Sequence, residues 1–387
     1  MTRGKPERAV VTDALSQRPS AFGGGGPGRD HHLSTHRIKE IAMNETARTM
    51  PAVAYRSSLP IDDPESLIDI ELPVPQPGPR DILVRVEAIA VNPVDYKMRQ
   101  TADPGGEPRV LGWDAAGVVV AVGTDGELFS VGDEVYYAGA LDRPGANSRY
   151  HAVDERLVAR KPGTLSFTEA AALPLTALTA WEGLFERLGL RIGALEQTGA
   201  LLLTAAAGGV GSMTAQLARA LTSLTVIGTA SRPETSEFAR RMGSQHIVDH
   251  HKPLAPQLAK VAPSGVDYVF STAGTDSNLA AYADVLNPFG HIVATDDFDS
   301  LPIGALKPKS ISFHWEFMYT RSMFQTADQA MQHHILTQVA RLADVGILST
   351  TATRDLGPIN AASLREAHRL QESGTTIGKT TLTGFQE

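Results

Sequence analysis

The chain has 387 residues, 42% of them hydrophobic and 20% charged, and its 35 basic and 43 acidic side chains leave a net charge of −8. That length exceeds what one core supports and predicts about two domains; no apolar run approaches the roughly 18 residues of a membrane span, and no basic block is present to neutralise a nucleic-acid backbone. Cysteine is absent, which excludes disulfides and thiolate-bound zinc and is compatible with the cytoplasm, where the protein is expected.

Residues 1–49 contain "AFGGGGPGRDHHLSTHR", glycine-rich and polar without sustained periodicity, and read as a flexible, dispensable tail. They lack the apolar centre of a secretory signal, and Glu7 and Asp13 argue against a transit peptide. From Met50, "MPAVAYR" predicts a first strand. The runs "DILVRVEAIAV", "GVVVAVG" and "DEVYYAG", separated by Gly, Pro and Asp, predict a barrel-like antiparallel unit. Beyond residue 167 the texture changes: strands expected at 200–205, 224–229, 246–249, 267–271 and 291–295 alternate with helical stretches, the pattern of a parallel sheet. A helix in "ADQAMQHHILTQVARLADVG" and the segment "REAHRLQESG" precede a closing strand, "GKTTLTGF", which needs a sheet to pair with and so is expected to return to the first domain. The expected organisation is a tail over 1–49, one domain from 50–175 with 325–387, and a second over 176–324.

Within the second domain, "ALLLTAAAGGVG" (200–211) takes an apolar strand through Ala205, Gly208 and Gly211 into a helix whose Val210, Thr214, Leu217 and Leu221 fall on one face. Such a turn brings unpaired backbone N–H groups and the positive end of a helix dipole to one point, where a diphosphate is held. Glycine is required because a Cβ would obstruct both the phosphates and the packing of helix on strand. The plainer reading, an ordinary strand-to-helix turn, is outweighed by the second strand that follows about twenty residues on. That strand ends in Ala230, Ser231 and Arg232, with no acid between Gly211 and Glu234 to bond ribose hydroxyls. A guanidinium takes a 2′-phosphate bidentately, so NADPH is favoured. The alternative for Ser231 is a capping box with Glu234, and for Arg232 a solvated surface position.

From residue 50 to 387 the chain resembles the medium-chain dehydrogenase/reductase superfamily, in its zinc-free, quinone-oxidoreductase-like branch. The resemblance rests on "VNPVDYKMR" (91–99), "LGWDAAGVVVAVG" (111–123), "GDEVY" (132–136), "EAAALPLTALTAWEGLFE" (169–186), "AAAGGVGSMTAQLAR" (205–219) and "GKTTL" (378–382). It implies an α/β architecture: a Rossmann doubly wound parallel sheet with a GroES-like β-barrel domain built from the N-terminal part and the C-terminal end. In the zinc-dependent members a Cys stands where this chain has Asn92, and a His-Glu pair where it has Trp113 and Asp114; no metal is expected. The pairs His250–His251 and His333–His334 are adjacent rather than at helical i, i+4 spacing and are taken as surface residues. His250 is the exception, because the branch packs a residue near the adenosine there.

The resemblance further implies Thr179 near the nicotinamide amide, Gly209, Val210 and Gly211 under the diphosphate with Gly208 in the same turn, and Ser231, Arg232 and His250 at the adenosine phosphate. Ser271, Thr272 and Ala273 end the fourth strand, and Ala294, Asp296 and Asp297 the fifth, where ligands of a parallel sheet collect. Lys379 sits where a basic residue often reaches the cofactor; the alternative is a solvated strand-end lysine.

Hydride transfer needs alignment and exclusion of water rather than a nucleophile or a metal. Charge developing on the substrate oxygen calls for a hydrogen-bond donor, and the branch places Asn92, Tyr96 and Lys97 at the substrate cleft. Against this, Asn92 before Pro93 would shape a turn, Asp95 would cap the next helix, Tyr96 or Lys97 would wall the pocket, and solvent would supply the proton. In "SISFHWEFMYTRSMF" (310–324), Phe313 and Trp315 are candidates to cover a flat ligand, while Phe313, Trp315, Phe317, Tyr319 and Phe324 also read as a buried strand face and dimer edge. The expected protein is an NADPH-dependent, zinc-independent reductase of a quinone or related α,β-unsaturated carbonyl, acting on a small molecule as a homodimer or homotetramer. The alternatives are an enoyl-thioester or alkenal reductase of the same fold, or a non-catalytic NADPH-binding protein.

Overall fold

Alternating and continuous apolar runs bury themselves differently, the first in antiparallel sheets with one wet face and the second in parallel sheets covered on both. The computed structural model describes Leu15 and residues 49–386; the tail expected over 1–49 lies outside them apart from Leu15 and Thr49. The first part runs β1 (Thr49–Tyr55), β2 (Ile68–Pro73), β3 (Asp81–Ala90), α1 (Pro93–Thr101), β4 (Arg109–Val110), β5 (Asp114–Val122), β6 (Glu134–Tyr137), β7 (Tyr150–Asp154) and β8 (Val158–Arg160). β3 lies at its centre, antiparallel to both β5 and β7, and the sheet continues from β5 through β6 to β8. A separate three-stranded sheet has the order β2-β1-β4.

Two short helices, α2 (Phe167–Ala171) and α3 (Pro174–Trp181), lead through a π-helical turn at Glu182–Arg187 into β9 (Ala200–Leu203). Then follow α4 (Gly209–Leu221), β10 (Thr225–Thr229), α5 (Pro233–Arg241), β11 (His246–Val248), α6 (Leu254–Val261), β12 (Val266–Ser271), α7 (Thr275–Val285), β13 (Leu286–Ala294) and β14 (Ser312–Trp315). These six strands form one parallel sheet in the order β11-β10-β9-β12-β13-β14, a doubly wound arrangement that reverses direction at β9. Ligands of such sheets bind outside the carboxyl ends of the strands at that reversal. All four residues of β9 are buried, as a strand covered by helices on both faces requires.

The chain ends with α8 (Thr320–Met323), α9 (Met331–Asp344), β15 (Ala352–Pro358), α10 (Ala361–Glu372) and β16 (Lys379–Thr383). β16 pairs antiparallel with β3 and parallel with β15, so the last strand lies beside the centre of the first sheet. One continuous core runs from Val84, Ile89 and Trp113 through Leu178 of α3 to Leu201 and Leu217, and joins the two halves. Among the described residues no helix is long and apolar enough to cross a membrane.

Two sequence expectations change. The aromatic alternation does not form a buried face: β14 stops at Trp315 on the open edge of the sheet, leaving Trp315 53%, Phe317 47% and Phe324 75% exposed, and only Tyr319 is buried. His333 is not a surface residue, for its Nδ1 lies 2.6 Å from the Val158 carbonyl oxygen and its ring meets Phe129 edge-on.

Just beyond β14 the Glu316 side chain is enclosed beside Glu182 and Glu186 of the π turn, with Arg187 at 3.0 Å; Arg321 closes on Glu182, Glu186 and Asp328 at 2.9, 2.8 and 3.0 Å. Burial and the neighbouring Glu182 carboxylate hold the Glu316 carboxyl well above the usual range. The folded state therefore keeps a proton that the unfolded chain gives up, so this group stabilises the fold in acid and stops doing so as pH rises through its raised pKa. The melting temperature is expected to fall between about pH 6 and pH 9, and Glu316→Gln to flatten that slope in thermal denaturation across the range; an unchanged slope in the variant would refute the assignment.

Candidate active site

At the end of β9 the chain turns sharply: Ala205 is left-handed, with φ 44°, and Gly208 becomes the extended N-cap of α4. A Cβ on Gly211 would stand 2.4 Å from the Ala205 carbonyl oxygen, and one on Gly209 would stand 2.9 Å from Lys379 Cδ and 3.1 Å from Thr176 Cγ2. At Gly211 the obstacle is backbone and only glycine fits, whereas at Gly209 a side chain would have to displace the Lys379 stem. Helix geometry leaves the amides of Gly209, Val210 and Gly211 without intrahelical acceptors, and they stand at the positive end of a thirteen-residue helix. This is a cradle that fits the diphosphate of a dinucleotide.

Hydrogen bonds draw the neighbouring strand ends to the turn. Ala205 N–H donates to Thr229 Oγ1 at 3.1 Å, and Thr272 N–H to Thr204 Oγ1 at 2.7 Å. Thr272 and the exposed Ala273 thus stand at the sheet edge beside the turn, whereas Ser271 is enclosed, accepting from the Thr275 hydroxyl at 2.7 Å, and Ala294 is fully buried. Asp296 accepts from Thr275 N–H at 2.9 Å and holds the start of α7. Thr179 donates to its own helix, to Leu175 O at 2.9 Å. Phe313 meets Trp315 edge-on at 5.5 Å, and Trp315 stacks on Phe298 at 4.6 Å, an aromatic group on the β14 edge. His250 is exposed after β11, its ring 4.4 Å from that of His251.

The alternative reading of Ser231, a capping box with Glu234, is not formed. Pro233 occupies the first helical position, so Arg232 becomes the N-cap of α5, and the Thr235 hydroxyl accepts from Arg232 N–H at 3.2 Å. The Arg232 guanidinium donates to Thr375 O at 2.7 Å across a cavity of about 520 Å³ lined also by Arg241, Arg354 and Thr376.

On the other side of the turn lies a buried polar chamber. Lys379 is no solvated strand-end lysine: its side chain is 3% exposed, and its ammonium donates to Asp114 Oδ2 at 2.9 Å and to Asn92 Oδ1. Asn92 Nδ2 donates to the same Asp114 oxygen at 2.8 Å, and Leu175 N–H to the other at 2.7 Å. Asn92 N–H donates to Asp95 Oδ2 at 2.7 Å, closing the cap of α1. Burial pushes the Asp95 carboxyl up to about 7, and burial together with the Asp95 and Asp114 carboxylates raises the Tyr319 phenol. Trp113 Nε1, Tyr319 OH and Asp95 Oδ1 are buried without a hydrogen-bond partner among the described residues. Sequence reasoning read Asp95 only as the cap of α1, which it is, and passed over Tyr319 as a site residue, since only the fold brings Tyr319 to this chamber. Both heteroatoms of the Asn92 amide are engaged within the protein. Tyr96 and Lys97 are half-buried on α1, and Lys97 Nζ reaches Asp297 at 2.7 Å, spanning the two halves of the molecule.

This chamber does not fit a divalent metal. Asn92, Trp113 and Asp114 offer one carboxylate between them, and the Lys379 ammonium already pairs with it.

Residues 78–179 match the alcohol dehydrogenase GroES-like domain family and residues 209–333 the zinc-binding dehydrogenase family. A zinc-type alcohol dehydrogenase-like protein of Staphylococcus epidermidis is 37% identical over 332 residues, covering 85% of this chain and 98% of that protein. An NADPH-dependent alkenal/one oxidoreductase of Arabidopsis thaliana chloroplasts is 36% identical over 216 residues, 54% of this chain and 53% of that one. Among solved structures, a putative zinc-dependent alcohol dehydrogenase from Rhizobium etli superposes with a TM-score of 0.84 at 49% identity, covering 88% of this chain and 100% of its own. A quinone oxidoreductase from Pseudomonas syringae superposes at 0.73 with 26% identity, covering 86% and 99%. The fold and site define an oxidoreductase with a Rossmann sheet and a GroES-like barrel. The chain belongs to the medium-chain dehydrogenase/reductase superfamily, in its quinone-oxidoreductase-like branch.

A Cβ at position 211 would drive the head of α4 off the Ala205 carbonyl. Gly211→Ala is expected to lower stability by about 2 kcal/mol in chemical denaturation and to weaken dinucleotide binding by about 100-fold in fluorescence titration; wild-type affinity would show that the cradle lies elsewhere.

Proposed function

We propose that the protein is a cytoplasmic, NADPH-dependent, zinc-independent reductase of quinones or related α,β-unsaturated carbonyls. The observation that carries this reading is the amide cradle at α4 together with Arg232, whose guanidinium stands at a cavity lined by Arg241 and Arg354 as well as by Glu234 and Glu237, while the end of β10 itself carries no carboxylate. Three guanidiniums against two carboxylates leave this lining net positive, which favours a 2′-phosphate. The Arabidopsis relative, described as NADPH-dependent and acting on alkenals and enones, supports both the cofactor and the acceptor class.

Bound there, the reduced nicotinamide supplies a hydride to an electrophilic carbon of the acceptor. Gly208, Gly209, Val210 and Gly211 hold the diphosphate, Lys379 stands beside it paired with Asp114, and Ser231, Arg232 and His250 receive the adenosine end. Thr179, Thr272, Ala273 and Asp296 border the nicotinamide end, with Ser271 and Ala294 fixing the strand ends behind them. The electron pair displaced from the acceptor's double bond collects on its oxygen, where a donor lowers the barrier. Tyr96 and Lys97 stand on α1 for that role, Lys97 after leaving Asp297, while Asn92 acts by holding Lys379; water supplies the proton where the product is a hydroquinone. Phe313 and Trp315 offer flat faces to a planar ligand.

The test is NADPH consumption against a panel of quinones, enones and enals. Turnover is expected with NADPH well above NADH, and Arg232→Ala is expected to lose about 10- to 100-fold of that preference. An unchanged preference in the variant would overturn the phosphate assignment, and binding without oxidation by any acceptor would overturn the catalytic one.

The exposed edge of β14 with Trp315 and Phe317 supports a homodimer in which two such edges meet. Light scattering on Phe317→Glu is expected to show a monomer where the wild type is a dimer; a wild-type monomer would end this part of the reading.

A further inference from the structure

The Lys379 stem crosses the glycine turn, close enough that a Cβ on Gly209 would meet its Cδ at 2.9 Å. The backbone is stitched there as well: Gly378 bridges to Gly208, and its N–H donates to Ala207 O at 2.8 Å. β16 therefore holds the ammonium beside the amides of α4, and its direction is set from the far side by Asp114, which is wholly buried, and by Asn92. Asp114 is itself fixed at both oxygens, by Leu175 N–H and by Asn92 Nδ2. An ion pair this deeply buried adds little to stability that an apolar pair of the same shape would not. The electrostatic consequence at the turn is specific: the cradle sees a compensated pair in place of a full positive charge, in surroundings that screen weakly.

We propose that Asp114 is the counter-charge that sets the affinity of the glycine turn for the cofactor's diphosphate, holding it below what Lys379 alone would give. The inference rests on the reading of that turn as a dinucleotide cradle. A reductase must release its oxidised cofactor on every turnover, and an uncompensated buried cation beside two phosphates would slow that release. Asp114 touches neither the hydride donor nor the acceptor; it acts through the field it shares with Lys379, and Asn92 keeps the two in register.

The experiment compares full-length wild type, Asp114→Asn, Lys379→Met and the double variant by nicotinamide fluorescence titration with NADPH at low ionic strength, with stopped-flow release of NADP⁺. Asp114→Asn is expected to bind about tenfold more tightly and to release about tenfold more slowly than wild type, and to melt at a lower temperature that NADPH restores, because its lysine is left unpaired. Lys379→Met is expected to bind more weakly than wild type. The double variant, which removes both members of the ion pair, is expected to bind more tightly than Lys379→Met, so the comparison survives if Asp114→Asn alone does not fold. A residue that only braced the barrel would weaken binding when changed. Equal or weaker affinity on removing the Asp114 charge, in either background, overturns the proposal while the cofactor reading stands; a wild type that binds no NADPH overturns both.

Discussion

A strand that enters a helix through a turn must leave the first amides of that helix unpaired, and here the turn is drawn so tight that no side chain fits between Gly211 and the Ala205 carbonyl. The rest of the site is arranged around those amides. β9 is buried on both faces and fixes where the turn begins. Thr204 and Thr229 tie the adjoining strand ends to it. The final strand of the chain, having crossed back to β3, lays Gly378 and Lys379 against it from the opposite side. Neither half of the molecule contains the site alone, because the amides come from one and the ammonium with its carboxylate from the other.

That division also leaves no room at this site for the metal that zinc-dependent members hold. The positions that would supply a thiolate and an imidazole hold an amide and an indole, and the space is taken up by an ammonium with its own carboxylate. The chamber around Asn92 also holds an indole N–H, a phenol and a carboxyl oxygen without partners among the described residues. Such groups are costly to bury and mark a region shaped by something other than packing.

The stretches that were legible in the sequence are those whose signal is local. The parallel strands appear close to their expected positions because continuous apolar runs of that length, spaced by amphipathic helices, have one favourable arrangement. The glycine turn was equally plain, since its demand is on backbone conformation and is written in the residues themselves. The aromatic segment misled: alternation at Phe313 and Trp315 continued on paper through Phe317 and Tyr319, but the sheet ends there, and without a neighbouring strand the chain turns away. The helix cap offered as the alternative for Ser231 falls one position later, because Pro233 takes the first helical place and hands the cap to Arg232.

Sequence by itself determined the parallel sheet, the dinucleotide-type turn, the absence of thiolate ligands and the resemblance that named the family, since each rests on residues near one another in the chain. Only the tertiary structure decided that Lys379 is buried, that its partner is Asp114 from 265 residues earlier, and that Tyr319 joins them. Whether a lysine is a solvated strand end or an enclosed charge depends on which carboxylate the fold brings within reach. No local pattern carries that distance.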